Sequence, residues 1–273
     1  KSVDPKAKIV LGAETAIKDQ KLLSDNMKLV IAALNQEKVF DVVDVHFWGT
    51  AGRYNMEIAR EMRLYLDKLG YTNVEIWSME NGTYINDPEG PLPLQTEKEQ
   101  AISLIKRYVY NLAHDVDKIF WNNLVEWDCF AGRCGGQFDN MGLISDGKNS
   151  GETLDTLGVP RLSYYSYKIM TEKLEGSDWD NIQRIHEEEG IYIYKFTNDS
   201  KPVWVAWSDN SQKKEIIIPG IISSQVKITE AVSIYKSGKY ITDYNKAFKT
   251  EIKNVNNNKV TISLEESPVF VEE

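Results

Sequence analysis

Glu80 closes the apolar run Val74–Met79 and precedes Asn81-Gly82. A carboxylate at the end of a strand-like run can act as a nucleophile or as an acid–base group. Asp44, His46 and Trp48 alternate along a second run, FDVVDVHFWG, and Ser78 alternates with Glu80 along the first. In extended chain, alternate residues share a face, so this spacing gathers a carboxylate, an imidazole and an indole. A third run, KIFWNN, ends in Trp121, Asn122 and Asn123. Aromatic walls with few carboxylates suit a neutral polyhydroxylated ligand better than an anion. Plainer roles compete for each residue: a loop carboxylate for Glu80, a satisfied core histidine for His46, barrel packing for Trp121. Glu126 and Asp128 read as a solvated loop edge, and Glu14 as an exposed loop carboxylate or a second group facing the site.

These residues need elements to converge. Up to about residue 175, short apolar runs alternate with helical patterns. Runs at 8–13, 40–49, 73–82 and 118–127 read as strands. Between them, Leu22, Leu23, Met27, Val30, Ile31 and Leu34 give one helical stripe, and Met56, Ala59, Met62 and Leu66 a second, stopped at Gly70. Ile102, Ile105, Val109 and Leu112 give a third, with Thr96 and Glu99 spaced as a capping box. A last helix is predicted over 162–174. Four strand–helix repeats predict parallel strands with right-handed crossovers, in a doubly wound sheet or a (β/α) barrel. Either fold places its chemistry at the C-terminal strand ends. After residue 176 the period changes to two, with turn signals such as NDSKP and KSGK, which predicts an antiparallel β-sandwich. The division expected is 1–176 and 177–273. Trp204, Trp207 and Tyr240 are expected in the sandwich core or its seam with the first part.

The 32 Lys and Arg against 41 Asp and Glu give a net charge of −9, which argues against nucleic acid as the main partner. No apolar run reaches the roughly 18 residues of a membrane span. No Gly-rich dinucleotide or phosphate-loop motif follows a strand. The two cysteines, Cys129 and Cys134, and three scattered histidines suggest neither zinc nor any other metal, and no cofactor is implied. The cysteines fit a loop disulfide in an exported protein or two thiols otherwise. The sequence opens on Lys1, so a processed or cut chain is expected, with its localisation signal lost.

In order, SVDPKAKIVLG, FDVVDVHFWG, VEIWSMENGTY, IFWNNLVEWD and RLSYYSYKIMTEKLEG resemble strands five to eight and the last helix of a retaining (β/α)8-barrel glycoside hydrolase of the clan A type, similar to families 39 and 5. The segment ending in ESPVFVE resembles the small sandwich often appended to such barrels. The resemblance implies the C-terminal half of a TIM barrel followed by a β-sandwich, acting on an oligo- or polysaccharide or glycoside. It makes Glu80 the nucleophile and places His46 near it, Trp48 and Trp121 along the sugar, and Asn122 on sugar hydroxyls. In that clan the acid–base group is the Glu of an Asn-Glu pair ending strand four. No Asn-Glu follows a strand in this sequence, so the acid–base group and four strands are expected in a missing N-terminal half-barrel, or a second copy must close the fold. A non-catalytic carbohydrate-binding or scaffold protein built on the same barrel is the competing expectation.

Overall fold

The computed structural model describes residues 4–16, 23–34, 39–86, 92–127, 136–148, 154–198, 201–210 and 212–273. Leu22, Asp128, Cys129 and Cys134 lie outside them. Strands β1 (Val10–Ala16), β2 (Val42–Trp48), β3 (Glu75–Gly82) and β4 (Lys118–Trp121) pair in that order, all parallel. Helices α1 (Asp25–Ala33), α2 (Glu57–Lys68) and α3 (Glu97–Leu112) form the crossovers, and α4 (Leu162–Leu174) follows. Val43, Val45 and Phe47 of β2 and Ile76 of β3 meet Met62, Leu66 and Ile105 of the helices in one core. The other sheet face carries Asp44, His46 and Trp48 and stays partly open, with Met79 43% and Phe120 46% exposed. This is a partial (β/α) barrel, covered by helices on one side.

The local signals act as expected. Thr96 and Glu99 close a full capping box on α3. Gly70, at φ +83°, ends α2: its N–H donates to the Asp67 carbonyl and that of Tyr71 to the Leu66 carbonyl. That pair of bonds is a Schellman stop, which needs the left-handed conformation glycine adopts freely.

Four expectations change. β1 continues past Ala13 with an irregularity between Leu11 and Glu14, so Glu14 is buried within a strand. Its carboxylate accepts from the Ser24 N–H and hydroxyl, both at 2.8 Å, and Ser24 caps α1. β4 stops at Trp121 because the chain changes partner: Leu143 N–H donates to Asn123 and Leu124 carbonyls, and Glu126 N–H to the Ile144 carbonyl. Glu126 is therefore no solvated edge; its buried side chain pairs with Arg161. On α1, Val30 is exposed, and Met27 and Ile31 make the buried stripe.

The remaining strands are β5 (Gln183–Glu188), β6 (Ile191–Asn198), β7 (Lys201–Ser208), β8 (Lys214–Pro219), β9 (Gln225–Glu230), β10 (Thr250–Asn254), β11 (Lys259–Leu264) and β12 (Val269–Glu272). They form a six-stranded sheet, β10-β9-β12-β7-β6-β5, and a two-stranded sheet, β11-β8. Period-two alternation splits β6 and β7 between two cores. Tyr194, Phe196, Val203, Val205 and Trp207 face the barrel helices; Ile193, Trp204 and Ala206 face the two-stranded sheet. Trp204 thus lies in the sandwich core and Trp207 in the seam, whereas Tyr240 is exposed. The run 239–244, which alternates like a strand, folds as short 3₁₀ turns. The Glu97 carboxylate on α3 draws it there, accepting from Ser237 Oγ and Gly238 N–H.

One buried cation pins the seam. Lys106 of α3 is 3% exposed and bonds Asp209 at 2.7 Å, and Tyr54 donates to the other Asp209 oxygen at 2.6 Å. Deleting one partner of such a pair leaves a desolvated charge. Asp209→Ala is expected to lower unfolding free energy by about 3 kcal/mol, read from the denaturant midpoint at constant slope. A change below about 0.5 kcal/mol, the range of ordinary surface substitutions, would mean that the apolar seam alone holds the two sheets together.

Candidate active site

The site forms at the C-terminal ends of β2 and β3. Asp44 pairs with Trp77 and Phe47 with Asn81, so two residues of β2 face three of β3. The extra residue is a bulge, which re-aims side chains beyond it. Ser78 and Glu80 therefore do not share a face, contrary to simple alternation. Ser78 is fully buried and accepts from Asn81 Nδ2 at 3.3 Å, while the Glu80 side chain is 42% exposed.

Asp44 holds the bulge. One carboxylate oxygen accepts from the Met79 N–H at 2.9 Å, replacing a ladder partner; the other meets His46 Nε2 at 2.8 Å. The second ring nitrogen, Nδ1, stands 3.5 Å from Glu80. The imidazole thus lies between two carboxylates on adjacent strands. Trp48 packs edge-on to it, with ring centroids 5.3 Å apart. Phe138, from a 3₁₀ turn at Gln137–Asn140, packs edge-on against Trp48 at 5.1 Å.

The structure brings His46, Trp48 and Glu80 together and sets Trp121 and Asn122 on the neighbouring strand end. Trp121 alternates with the exposed Phe120, packs partly buried against the helix-side core, and donates from Nε1 to the Met141 carbonyl at 2.9 Å. Asn122 N–H donates to the Asn81 carbonyl at 2.9 Å. Among the described residues, neither side chain hydrogen-bonds Glu80 or His46. Asp44 and Phe138 complete the contacts around His46 and Trp48, and Phe138 was not among the residues gathered by the sequence patterns. Asp44 shares the alternation of His46, which was its signal; Phe138 sits in a loop without one. Among the described residues, no three His, Cys, Asp or Glu side chains converge as metal ligands, and no helix is long and apolar enough to cross a membrane.

No protein-family model and no curated protein matches the sequence. Solved structures do resemble the chain. The GH51 alpha-L-arabinofuranosidase of Thermotoga petrophila is 11% identical with a TM-score of 0.64, over 100% of this chain and 59% of that one. An alpha-L-arabinofuranosidase of Thermotoga maritima is 10% identical with a TM-score of 0.61, over 99% and 58%. A glucosidase of Croceicoccus marinus is 13% identical with a TM-score of 0.60, over 99% and 61%. The fold is that of the glycoside hydrolase barrels. At these identities the likeness is one of fold, and the chain spans less than two thirds of each relative. The narrower likeness to families 39 and 5 has no counterpart among these three.

Within that fold the neighbours of His46 favour its protonated form. Burial alone would lower the imidazole pKa; the hydrogen bond and charge of Asp44, with the charge of Glu80, outweigh it, and the net shift is upward from 6.5. A folded pKa above the ordinary value means that protonation stabilises the fold fully below about pH 6.5, a contribution lost as pH rises through the folded value. Asp44→Asn is expected to lower the His46 midpoint, followed by NMR, by about one unit or more. Glu80→Gln should lower it less, because Glu80 is farther away and solvent-screened. The reverse ranking would show that Glu80, not Asp44, governs His46.

Proposed function

We propose that this chain is the nucleophile-bearing part of a retaining glycoside hydrolase. The observation that carries this reading is Glu80 re-aimed by the β3 bulge onto His46, itself held by Asp44, at the C-terminal strand ends. Glu80 attacks the anomeric carbon and forms a glycosyl–enzyme ester as the glycosidic bond breaks. The leaving oxygen takes its proton from an acid carboxyl, and water, deprotonated by that same carboxyl, then releases the sugar. His46, 3.5 Å from the Glu80 carboxylate, orients it. Trp48 and Phe138 form an apolar wall for a sugar face, and Trp121 and Asn122 border the same mouth from β4.

Retention needs a second carboxyl about 5–5.5 Å from the first. Asp44 is engaged on His46 and the Met79 N–H, so the acid–base group is assigned to a further half-barrel. Residues 1–176 are the catalytic part and 177–273 its sandwich. Open edges at β1 and β4, with Ile9, Phe120 and Trp179 exposed beside them, support pairing with that half. The same engagement of Asp44 supports a second reading, sugar binding without turnover.

Two outcomes are expected. In the longest natural polypeptide containing this chain, a 2-deoxy-2-fluoro glycoside that traps the covalent intermediate should label Glu80, as read by peptide mass mapping. Turnover with the label on another residue would overturn the assignment; sugar binding with neither label nor turnover would favour the second reading. The purified 273-residue chain should not hydrolyse aryl glycosides at a useful rate, since general-acid help alone is worth about 10²–10⁴-fold. Clear turnover by that chain, abolished in Glu80→Gln, would refute the need for an outside acid.

A further inference from the structure

Arg107 of α3 is wholly buried, and all its hydrogen bonds run to neutral oxygens. Nε donates to Ser103 Oγ at 3.0 Å. One terminal nitrogen donates to Asn81 Oδ1 at 3.1 Å and the Phe47 carbonyl at 3.4 Å; the other donates to the Thr50 carbonyl at 3.2 Å. No carboxylate pairs with it among the described residues. A second cation, Arg53, lies across the Phe47 ring, the two guanidinium carbons standing 5.0 and 4.8 Å from its centroid. Burial, and then Arg53, push the Arg107 pKa down to about 9, so it stays charged at neutral pH.

A buried cation without a counter-ion is costly. Its acceptors suggest what it is kept for. Asn81 follows Glu80, and Phe47 lies between His46 and Trp48. Phe47 and Asn81 are also the ladder pair that resumes after the bulge. One terminal nitrogen bonds both strands, and the rest of the planar fork, held by Ser103 and Thr50, aims it there; the lysine ammonium ends one bond shorter and lacks those two anchors. Asp44 ties the two strands on the open face of the sheet; Arg107 ties them from the helix side.

We propose that Arg107 is a positioning residue for the strand-end site, clamping the Phe47–Asn81 pair so that the bulge holds Glu80 against His46. This rests on Glu80 and His46 forming the site, but its test does not require glycosidase activity. The charged groups facing His46 are Asp44 on its own strand and Glu80 on β3, with Arg53 and Arg107 behind Phe47.

The His46 imidazole is titrated by NMR in the parent chain, Arg107→Met, Arg107→Lys and, as a stability control, Val109→Ala in the same helix. With the clamp released, the Glu80 carboxylate moves off and the His46 midpoint falls by about half a unit or more. Lysine keeps the charge but not the fork, so Arg107→Lys should show the same fall. Val109→Ala should lower Tm and leave the midpoint in place. Should the Arg107 variants not fold, Asn81→Ser removes only the β3 leg and is expected to shift the midpoint the same way. A lowered Tm with an unmoved midpoint in the folded Arg107 variants, or in Asn81→Ser, would overturn the proposal and leave Arg107 a purely structural group. A shifted midpoint here, with neither covalent labelling of Glu80 nor turnover in the longest natural polypeptide, would count against the proposed function alone.

Discussion

Between the Asp44–Trp77 and Phe47–Asn81 pairs, β3 has one residue more than β2, and the chemistry of the molecule hangs on that mismatch. A regular ladder would place Glu80 on the face of Ser78, against the helices and away from His46. The bulge turns it, but also deprives the Met79 N–H of a ladder acceptor, and an unpaired buried donor is expensive. Asp44 meets that need with one oxygen and binds His46 with the other. One carboxylate thus joins the backbone irregularity to the charge state of the site.

Helix α3 supports this arrangement from behind. Its apolar stripe packs into the core, while Gln100, Ser103, Arg107 and Asn111 make a buried polar stripe along another side. Several of these groups reach the ends of β2 and β3 or the loops that leave them: Gln100 Nε2 donates to the Thr83 carbonyl, and Asn111 accepts from Met56 N–H and donates to the Tyr54 carbonyl. Lys106, on the same helix, reaches instead to Asp209 of the sandwich. A single helix therefore sets the strand ends and the seam, so the sandwich is not an independent appendage. The inner strands β12, β7 and β6 of its six-stranded sheet are buried on both faces, once against the barrel helices and once against β8 and β11.

Among the described residues, β1 and β4 each pair on one side only, and the sheet face away from the helices is partly open. The glycoside hydrolase structures that share this fold are longer, and the present chain matches 58–61% of their length. At the strand ends a carboxylate, its histidine and an aromatic wall are assembled among the described residues.

The order of elements, the capping box at Thr96, the stop at Gly70, the limits of α4 and the change of period near residue 176 were legible in the sequence, because each depends on contacts within a few residues. So was the strand-end gathering of His46, Trp48 and Glu80, since strand ends follow from the same local patterns. The fate of Glu14, Ser78, Trp121, Glu126 and Arg107 was not. Each depends on packing that local alternation does not carry: the β1 bulge and Ser24 for Glu14, the β2–β3 register for Ser78, Met141 for Trp121, Arg161 for Glu126, and two strand ends for Arg107. Alternation decides which face a side chain takes only while the ladder stays in register. The bulges in β1 and β3 break that register, and only the packed sheet, with its buried donors to satisfy, decides where they fall.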